Sequence, residues 1–261
     1  MLILLPPSEG KAAPRRGKPL DDAALSFPVL TEARKTVREA LVTLCTVDPD
    51  RAAAVLDLSP GQRDLVDLNA GIDTAPTARA DRVYSGVLYD ALGFATLSPA
   101  AKRRAGSRVA LISSLFGLVR PGDRIPTYRL SGDAVLPGVG SVAGVWRETL
   151  GDAVAEALGS GLLVDLRSSM YAAFWRPPAT LGRRVATVRV LHEVAGRRQV
   201  VSHFNKATKG RLVRALLEDG RDPRSPARLA GILTDLGWTV ELDGPTAKGT
   251  RLDVVVSSLV E

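Results

Sequence analysis

The stretch that decides the fold opens the chain: Met1-Leu2-Ile3-Leu4-Leu5-Pro6-Pro7-Ser8-Glu9-Gly10-Lys11. Its apolar run is too short for a membrane span or a signal-peptide core, and it predicts a buried strand. The two prolines end that strand because proline has no N–H to donate to a neighbouring strand. The loop then offers the hydroxyl of Ser8, N–H groups beside a glycine and the ammonium of Lys11. These groups suit an anion such as phosphate, although the glycine spacing is not that of a Walker loop.

The rest of the chain alternates between helical and strand patterns. Apolar residues at helical spacing predict helices at 31–46, 51–58, 61–68, 83–94, 141–158, 205–217 and 225–236, with a further short helix opening at Ser98-Pro99. Apolar runs predict further strands at 108–113, 161–166, 184–192, 199–204, 238–242 and 252–256. Thr31 is predicted to cap the helix at 31–46, and Gly159 is predicted to end the helix at 141–158. The pair 184–192 and 199–204, joined across Ala195-Gly196-Arg197, predicts an antiparallel hairpin.

These patterns predict a mixed α/β (α+β) fold. We expect a single compact domain over residues 1–261, with a mixed central β-sheet flanked by helices. The hydrophobic fraction of 45% supports a core, and the charged fraction of 24% is that of a globular protein. With no signal-peptide pattern, we expect a cytoplasmic location and no membrane partner.

Composition narrows the possible partners and cofactors. The formal charge is +7 and the pI about 9.9, which suits nucleic acid, nucleotides or acidic surfaces, although an arginine-rich codon bias produces the same charge. Cys45 is the only cysteine, and His192 and His203 lie eleven residues apart. This excludes an internal disulfide and offers no cysteine or histidine cluster for a metal, so we expect no metal and no cofactor.

A second segment with chemical potential follows the strand at 108–113. Arg120 and Arg129 are candidates for bidentate recognition of phosphate or carboxylate. Tyr128 is a candidate for stacking on a base. The competing interpretation is that Arg120 pairs with Asp123 and holds a loop.

A third segment follows the strand at 161–166. Asp165 lies inside an apolar run, where a carboxylate is costly unless it is paired, so it is either functional or part of a salt bridge. Ser168, Ser169 and Tyr171 add hydroxyls just beyond the strand, where open sheets bind their ligands.

A fourth segment joins the strand at 199–204 to the next helix. With Asn205 as N-cap, Lys206 and Lys209 fall in the first helical turn, where the helix dipole disfavours cations and favours anions. Such a cluster predicts an anion site, to which Arg211 adds charge. The alternatives are a solvated basic face and a structural role for His203.

Four motifs together resemble one family. Residues 1–11, 114–121 with 128–130, 164–171 and 202–210 are similar, in order and spacing, to the YaaA peroxide stress proteins. The resemblance implies a cytoplasmic single-domain α/β protein that limits free iron, and so oxidative damage to DNA, under hydrogen peroxide stress. It also implies DNA binding through a basic cleft and a helix–hairpin–helix element, which the region 218–223 would supply with Gly220 as its only glycine.

Two functional hypotheses follow, with an acidic protein partner as a third. The first is a stress-response protein that binds double-stranded DNA with weak sequence specificity. Its phosphate contacts would be Lys11, Arg120, Arg129, Lys206, Lys209 and Arg211. The second is an enzyme acting on a nucleotide, a nucleobase or a damaged base in DNA. The expected partner is accordingly DNA or a phosphate-bearing small molecule. Its pocket would comprise Ser8, Lys11, Tyr128, Asp165, Ser168 and Lys206, with Asp165, Lys206 and Lys11 as catalytic candidates.

Overall fold

The computed structural model describes residues 1–194, 197–199 and 202–257. The helices are α1 Thr31–Val47, α2 Pro49–Val55, α3 Asp64–Ala70, α4 Ala80–Val83, α5 Val87–Leu92, α6 Pro99–Arg108, α7 Val142–Leu158, α8 Ser169–Ala172, α9 Ser202–Asp219 and α10 Pro226–Asp235. The strands are β1 Leu2–Leu5, β2 Ala78–Arg79, β3 Val109–Ser113, β4 Gly117–Val119, β5 Arg124–Ile125, β6 Val135–Leu136, β7 Gly140–Ser141, β8 Leu163–Asp165, β9 Val185–Val194, β10 Arg197–Gln199, β11 Thr239–Leu242 and β12 Thr250–Val256.

One mixed sheet organises the fold. Its strands lie in the order β11-β12-β9-β8-β1-β3-β4, and β10 pairs with β9 as a hairpin arm. The strands β12, β9, β8, β1 and β3 are mutually parallel, whereas β11 and β4 run antiparallel at the two edges. Helices α6, α7, α9 and α10 pack against the sheet. The predicted mixed α/β class, with a mixed central sheet flanked by helices, is confirmed.

The opening strand lies in the middle of this sheet. Ile3 is in register with Val109 of β3 on one side and Val164 of β8 on the other. All four residues of Leu2–Leu5 are 0% exposed. Because successive side chains of a strand point to opposite faces, both faces of β1 are covered, which explains why its sequence is continuously apolar.

The connections create a crevice beside β1. From β1 the chain continues to its neighbour β3, whereas from β8 it continues in the opposite direction to β9. The loops after the adjacent strands β1 and β8 therefore diverge. In open α/β sheets ligands bind at such a switch point, outside the carboxyl ends of the strands.

Helix α9 contacts α5 at very close range. A Cβ atom at Gly210 would lie 2.2 Å from the backbone oxygen of Leu88, so only glycine allows the two helices to approach this closely. The contact matters for function because α5 and its preceding loop form one side of the crevice.

Several sequence predictions need correction in detail. Helix α9 begins at Ser202, so Asn205 lies inside the helix and is not its N-cap, and 202–204 is helical where a strand was predicted. Thr31 is the first residue of α1, and Leu30 occupies the cap position. Gly159 does end α7. A hairpin is present, but its second arm is β10 at Arg197–Gln199 and not the predicted 199–204, and the turn residues Ala195 and Gly196 lie outside the described residues.

The predicted helix at 83–94 is also wrong in extent. The structure has two short helices, α4 and α5, separated by Tyr84, Ser85 and Gly86. Gly86 has a φ of 97°, a left-handed conformation that breaks the helix and that glycine adopts without strain. In the described ranges, none of the helices is long and apolar enough to cross a membrane.

Candidate functional site

A cavity of about 470 Å³ lies at the carboxyl ends of β1, β3 and β8. It is lined by residues 6–11, 85–89 and 129–131, together with Ser114, Ser168, Met170, Tyr171 and Lys206. Lys11, Arg129 and Lys206 are cationic, and Glu9 is the one acidic residue of this lining. The cavity therefore combines the size of a small-molecule site with a net positive charge.

Lys11 is a strongly perturbed side chain of the cavity. Its Nζ donates to the backbone oxygen of Ser8 at 2.8 Å and lies 3.4 Å from that of Glu9. The same nitrogen lies 4.4 Å from the centre of the Tyr128 ring. Burial, and then the positive charge of Arg129, lower the pKa of Lys11 to about 7, against the opposing charge of Glu9. The amine is therefore partly neutral near neutral pH.

Tyr128 belongs to a buried hydroxyl chain behind Lys11. Its OH lies 2.9 Å from the OH of Tyr84 and 2.8 Å from Oγ of Ser113, which accepts from the N–H of Phe116 at 2.9 Å. Burial raises the pKa of both tyrosines, so the hydroxyls stay protonated. Tyr128 is only 2% exposed, so the expectation that it stacks on a base is corrected: its ring supports Lys11.

Arg129 is fixed at its backbone and free at part of its side chain. The side chain of Asn69 accepts a hydrogen bond from the backbone N–H of Arg129 at 2.9 Å and donates one to its carbonyl at 2.7 Å, so the backbone of Arg129 is held in place. Its Nε is buried and has no hydrogen-bond partner. A buried guanidinium nitrogen without a partner is costly, and Arg129 lines the cavity, so it is the candidate in this lining for binding an anion.

Sequence comparison relates the chain to proteins of a known family. The sequence model of the family described as "Peroxide stress protein YaaA" matches residues 1–242 of the chain. The chain belongs to the YaaA peroxide stress protein family. A UPF0246 protein of Streptomyces coelicolor is 52% identical over 98% of each chain, and one of Corynebacterium efficiens is 43% identical over 93% of this chain and 96% of its own. A UPF0246 protein of Corynebacterium glutamicum is 40% identical over 98% of this chain and all of its own.

Asp165 of this YaaA member is engaged in a buried ion pair. Arg167 donates to its two carboxylate oxygens at 2.9 and 2.7 Å, and the two side chains are 1% (Arg167) and 9% (Asp165) exposed. Asp165 does not line the described cavity. Of the two interpretations that the sequence left open, the structure favours the salt bridge. This corrects the prediction that Asp165 is a candidate general base.

Arg167 extends this pair into the loop that follows β8. It also donates to the carbonyls of Tyr171 at 3.2 Å and Trp175 at 3.0 Å, and its guanidinium lies 5.6 Å from a Trp175 ring. These bonds hold the segment that carries Ser168 and Tyr171 to the cavity wall. Asp165 and Arg167 therefore position this segment, and neither residue is part of the described lining of the cavity.

The two lysines of α9 have different environments. Lys206 is exposed and lines the cavity. Lys209 is largely buried, its Nζ donates to the carbonyl of Leu166 at 2.9 Å, and burial lowers its pKa. Because α9 begins at Ser202, neither lysine lies in its first turn, and the predicted helix-terminus anion site is corrected.

The remaining predicted cations lie outside the cavity. Arg120 donates to the carbonyls of Ser107 at 2.9 Å and Val109 at 3.1 Å, and stacks on Phe27 at 5.0 Å, so it is a structural residue. Asp123 accepts the backbone N–H of Arg120, not its side chain. Arg211 is exposed on α9.

The predicted serines divide in the same way. Ser8 and Ser168 line the cavity, and Oγ of Ser8 donates to the carbonyl of Gly10 at 2.6 Å, which closes the loop after β1. Ser169 is the first residue of α8 and is not part of the described lining.

The segment 85–89 is the part of the site that sequence reasoning missed. Ser85 donates its backbone N–H to Oγ of Ser8 at 3.1 Å, and Tyr89 donates its hydroxyl to the carbonyl of Pro6 at 2.7 Å. Both bonds fix the loop after β1. The Ser85-Gly86 dipeptide was the available signal, because such pairs mark breaks between helices.

The connection between α9 and α10 is the expected helix–hairpin–helix region. Gly220 there has a φ of 85°. Arg221 pairs with Asp219 and Asp235, and Asp222 binds the amine of Met1. These charged side chains are thus engaged within the fold, and the DNA-binding role that the YaaA resemblance implies for this connection stays a prediction.

A second, strongly basic cavity of about 480 Å³ lies beside α6. Arg79, Arg82, Lys102 and Arg103 line it, and its one acidic lining residue, Asp81, is paired with Arg79. The sequence analysis assigned no function to these residues. Among the described residues, no group of three histidine, cysteine, aspartate or glutamate side chains is placed to hold a metal ion.

Proposed function

We propose that this YaaA-family protein binds a nucleotide unit in the cavity at the carboxyl ends of β1, β3 and β8, either as a free nucleotide or within a DNA strand. The observation that carries the proposal is Arg129, which lines a cationic cavity and whose buried Nε has no hydrogen-bond partner. A phosphate accepts from guanidinium and ammonium groups through short charge-assisted hydrogen bonds.

The ligand's parts match the parts of the cavity. Lys206, exposed at the wall, and Arg129 would hold the phosphate, and Lys11 would lie against the sugar or base. Ser8 and Ser168 add hydroxyls that donate and accept. An enzymatic use of this pocket would rest on Lys11, since Asp165 is engaged by Arg167.

The test is calorimetric titration with deoxyadenosine monophosphate, with deoxyadenosine as the phosphate-free control. Arg129→Gln and Lys206→Gln should each weaken nucleotide binding about tenfold or more, the cost of one charge-assisted hydrogen bond. Lys35→Gln, an exposed lysine of α1, is the matched control and should bind as the wild type does. Equal affinity for nucleotide and nucleoside would contradict the proposal.

A second candidate, binding of double-stranded DNA through the backbone, is favoured by the basic cavity beside α6. We propose that Arg82 and Arg103 contact the phosphates of the duplex there, and that Arg129, which lines the other cavity, does not. The measurement is fluorescence anisotropy of a labelled duplex at several salt concentrations. Each lost phosphate contact should reduce the slope of log affinity against log salt by about 0.9.

The variants separate the two binding modes. Arg82→Gln with Arg103→Gln should weaken duplex binding and leave the free nucleotide unaffected. Arg129→Gln should weaken binding of the free nucleotide and leave duplex binding unaffected. Arg211→Gln tests whether the exposed face of α9 contributes to duplex binding. Duplex binding that is independent of salt would refute the backbone mode.

The link to peroxide stress is the last part of the proposal. The family carries that association in its name, and we propose that a DNA-bound protein limits iron-dependent oxidative damage in the cytoplasm. The assay counts strand breaks in plasmid DNA exposed to ferrous iron and hydrogen peroxide. Protection by the wild type that Arg82→Gln with Arg103→Gln abolishes would support it, and equal protection by both would contradict it.

A further inference from the structure

The orientation of the Lys11 amine suits covalent chemistry. We infer that Lys11 is a nucleophile that forms an imine with the carbonyl carbon of a small anionic aldehyde or ketone bound in the cavity. This inference rests on the proposed anion-binding function of the same cavity and adds a chemical step to it.

The hydrogen bonds of Lys11 leave its lone pair available. A neutral amine has two N–H donors and one lone pair. The two acceptors near Nζ are the backbone oxygens of Ser8 at 2.8 Å and Glu9 at 3.4 Å. With both donors directed at these oxygens, the lone pair has no donor among the contacts of Nζ, and Lys11 is one of the residues that line the cavity.

The environment also keeps a fraction of this amine neutral. Burial and the charge of Arg129 lower the pKa of Lys11 to about 7. A lysine desolvated beside another cation is an established way to activate an amine for attack on carbonyl groups. The chain has seven lysines. Lys209 is also buried, but its amine donates to Leu166 and does not line the cavity.

The cavity indicates what else the substrate carries. Arg129 has an unpartnered Nε, and Lys206 adds a second cation to the lining of the same cavity. A phosphate or carboxylate on the carbonyl compound would satisfy Arg129 and place the carbonyl carbon near Lys11. A volume of about 470 Å³ accommodates a phosphorylated sugar or a molecule of similar size.

The step balances without a co-reactant. The nitrogen lone pair forms the N–C bond as the carbonyl π bond breaks, and the oxygen takes one proton from nitrogen to give a carbinolamine. The C–O bond then breaks, the second nitrogen proton leaves with the oxygen as water, and the C=N bond forms. The Tyr128 ring, 4.4 Å from Nζ, limits access of bulk water from that side.

The experiment is reductive trapping of the wild-type protein with glyceraldehyde 3-phosphate and sodium cyanoborohydride, read by intact mass and peptide mapping. We expect one adduct per chain, on Lys11. Lys11→Arg should lose it, and Lys35→Arg, which removes an exposed lysine of α1, should keep it. Unphosphorylated glyceraldehyde should label Lys11 more slowly, because it lacks the anion.

The pH profile separates a site-specific amine from general reactivity. Labelling of Lys11 should reach half its maximum near pH 7, and at pH 7.5 should be on the order of 100-fold faster than at an exposed lysine, whose ordinary pKa is near 10.4. Labelling spread over exposed lysines, or a rate that rises only toward pH 10, would overturn the inference.

Failure of the inference is distinguishable from failure of the proposed function. If Lys11 is not labelled while Arg129→Gln still weakens nucleotide binding, the covalent step is refuted and the binding function stands. If neither labelling nor nucleotide binding is found, both are refuted. The peptide map of the wild type decides the first question even if Lys11→Arg does not fold.

Discussion

The buried pair of Asp165 and Arg167 makes a sharp prediction about the role of that carboxylate. Asp165→Asn keeps the shape of the side chain and removes its charge. Arg167, only 1% exposed, is then left without a counter-charge, although it keeps its bonds to the carbonyls of Tyr171 and Trp175. Removing one partner of a buried pair costs about 3–5 kcal/mol of unfolding free energy, because the remaining charge stays desolvated.

The size of this loss sets the expected thermal shift. At about 2.1 cal/mol/K per residue, a chain of 261 residues has an unfolding entropy of about 0.55 kcal/mol/K. A loss of about 3–5 kcal/mol therefore lowers Tm by about 5–9 °C. The assay is differential scanning calorimetry of wild type, Asp165→Asn and the double variant Asp165→Asn with Arg167→Gln. The double variant should recover part of the loss, because it no longer buries an unpaired charge.

A matched control is the exposed pair of Arg251 and Asp243, whose side chains are both 46% exposed. Asp243→Asn should cost less than about 1 kcal/mol, because solvent screens the pair. If Asp165→Asn melts within about 2 °C of the wild type, the positioning role is refuted. In that case the carboxylate would again be a candidate for ligand chemistry.

Three further perturbations test the packing and the site. Gly210→Ala should destabilise the protein by about 1–3 kcal/mol in urea unfolding, because its Cβ would meet the backbone oxygen of Leu88. Gly231→Ala in α10 is the control, because open space surrounds it, and it should be neutral or stabilising by up to about 1 kcal/mol. Equal effects of the two substitutions would refute the close-contact argument. Tyr128→Phe should cost about 1–3 kcal/mol by urea unfolding, because two buried hydroxyls lose a partner, and an unchanged midpoint would show that this chain of hydroxyls contributes nothing. The folded-state pKa of Lys11 is depressed, so between pH 7 and 10 the unfolded chain binds more protons at this residue than the folded chain does. The unfolding free energy of the wild type should therefore rise relative to that of Lys11→Met as the pH increases through that range. A difference in unfolding free energy that stays constant with pH would contradict a depressed pKa.

Part of the candidate site could be predicted because its signals are local. Ser8, Lys11 and Ser168 follow buried strands, and the carboxyl ends of parallel strands meet at one edge of a sheet. Lys206 and Arg129 were also among the predicted residues that line the cavity. The side of the cavity formed by 85–89 was not predicted, because those residues follow no strand and reach it through the contact between α5 and α9.

Other assignments depended on contacts that no local pattern reveals. Arg120 and Arg129 look alike in sequence, each an arginine in a loop after a buried strand. Their difference lies in the carbonyls of Ser107 and Val109, which accept from Arg120, and in the absence of any partner at Nε of Arg129. A long cationic side chain reaches whichever acceptors the fold brings near it.

The sequence by itself determined the central buried strand and the class of the fold. An apolar run such as Leu2–Leu5 can be satisfied only by burial on both faces, and the period of the other patterns distinguishes strands from helices. Only the tertiary structure decided which charges remain free for a ligand. Lys209 and Asp165 are engaged by partners, whereas Lys11 is perturbed by burial and by Arg129, a neighbour more than a hundred residues away in sequence. Burial and electrostatic interaction depend on distance in space, and the sequence specifies that distance only through the completed fold.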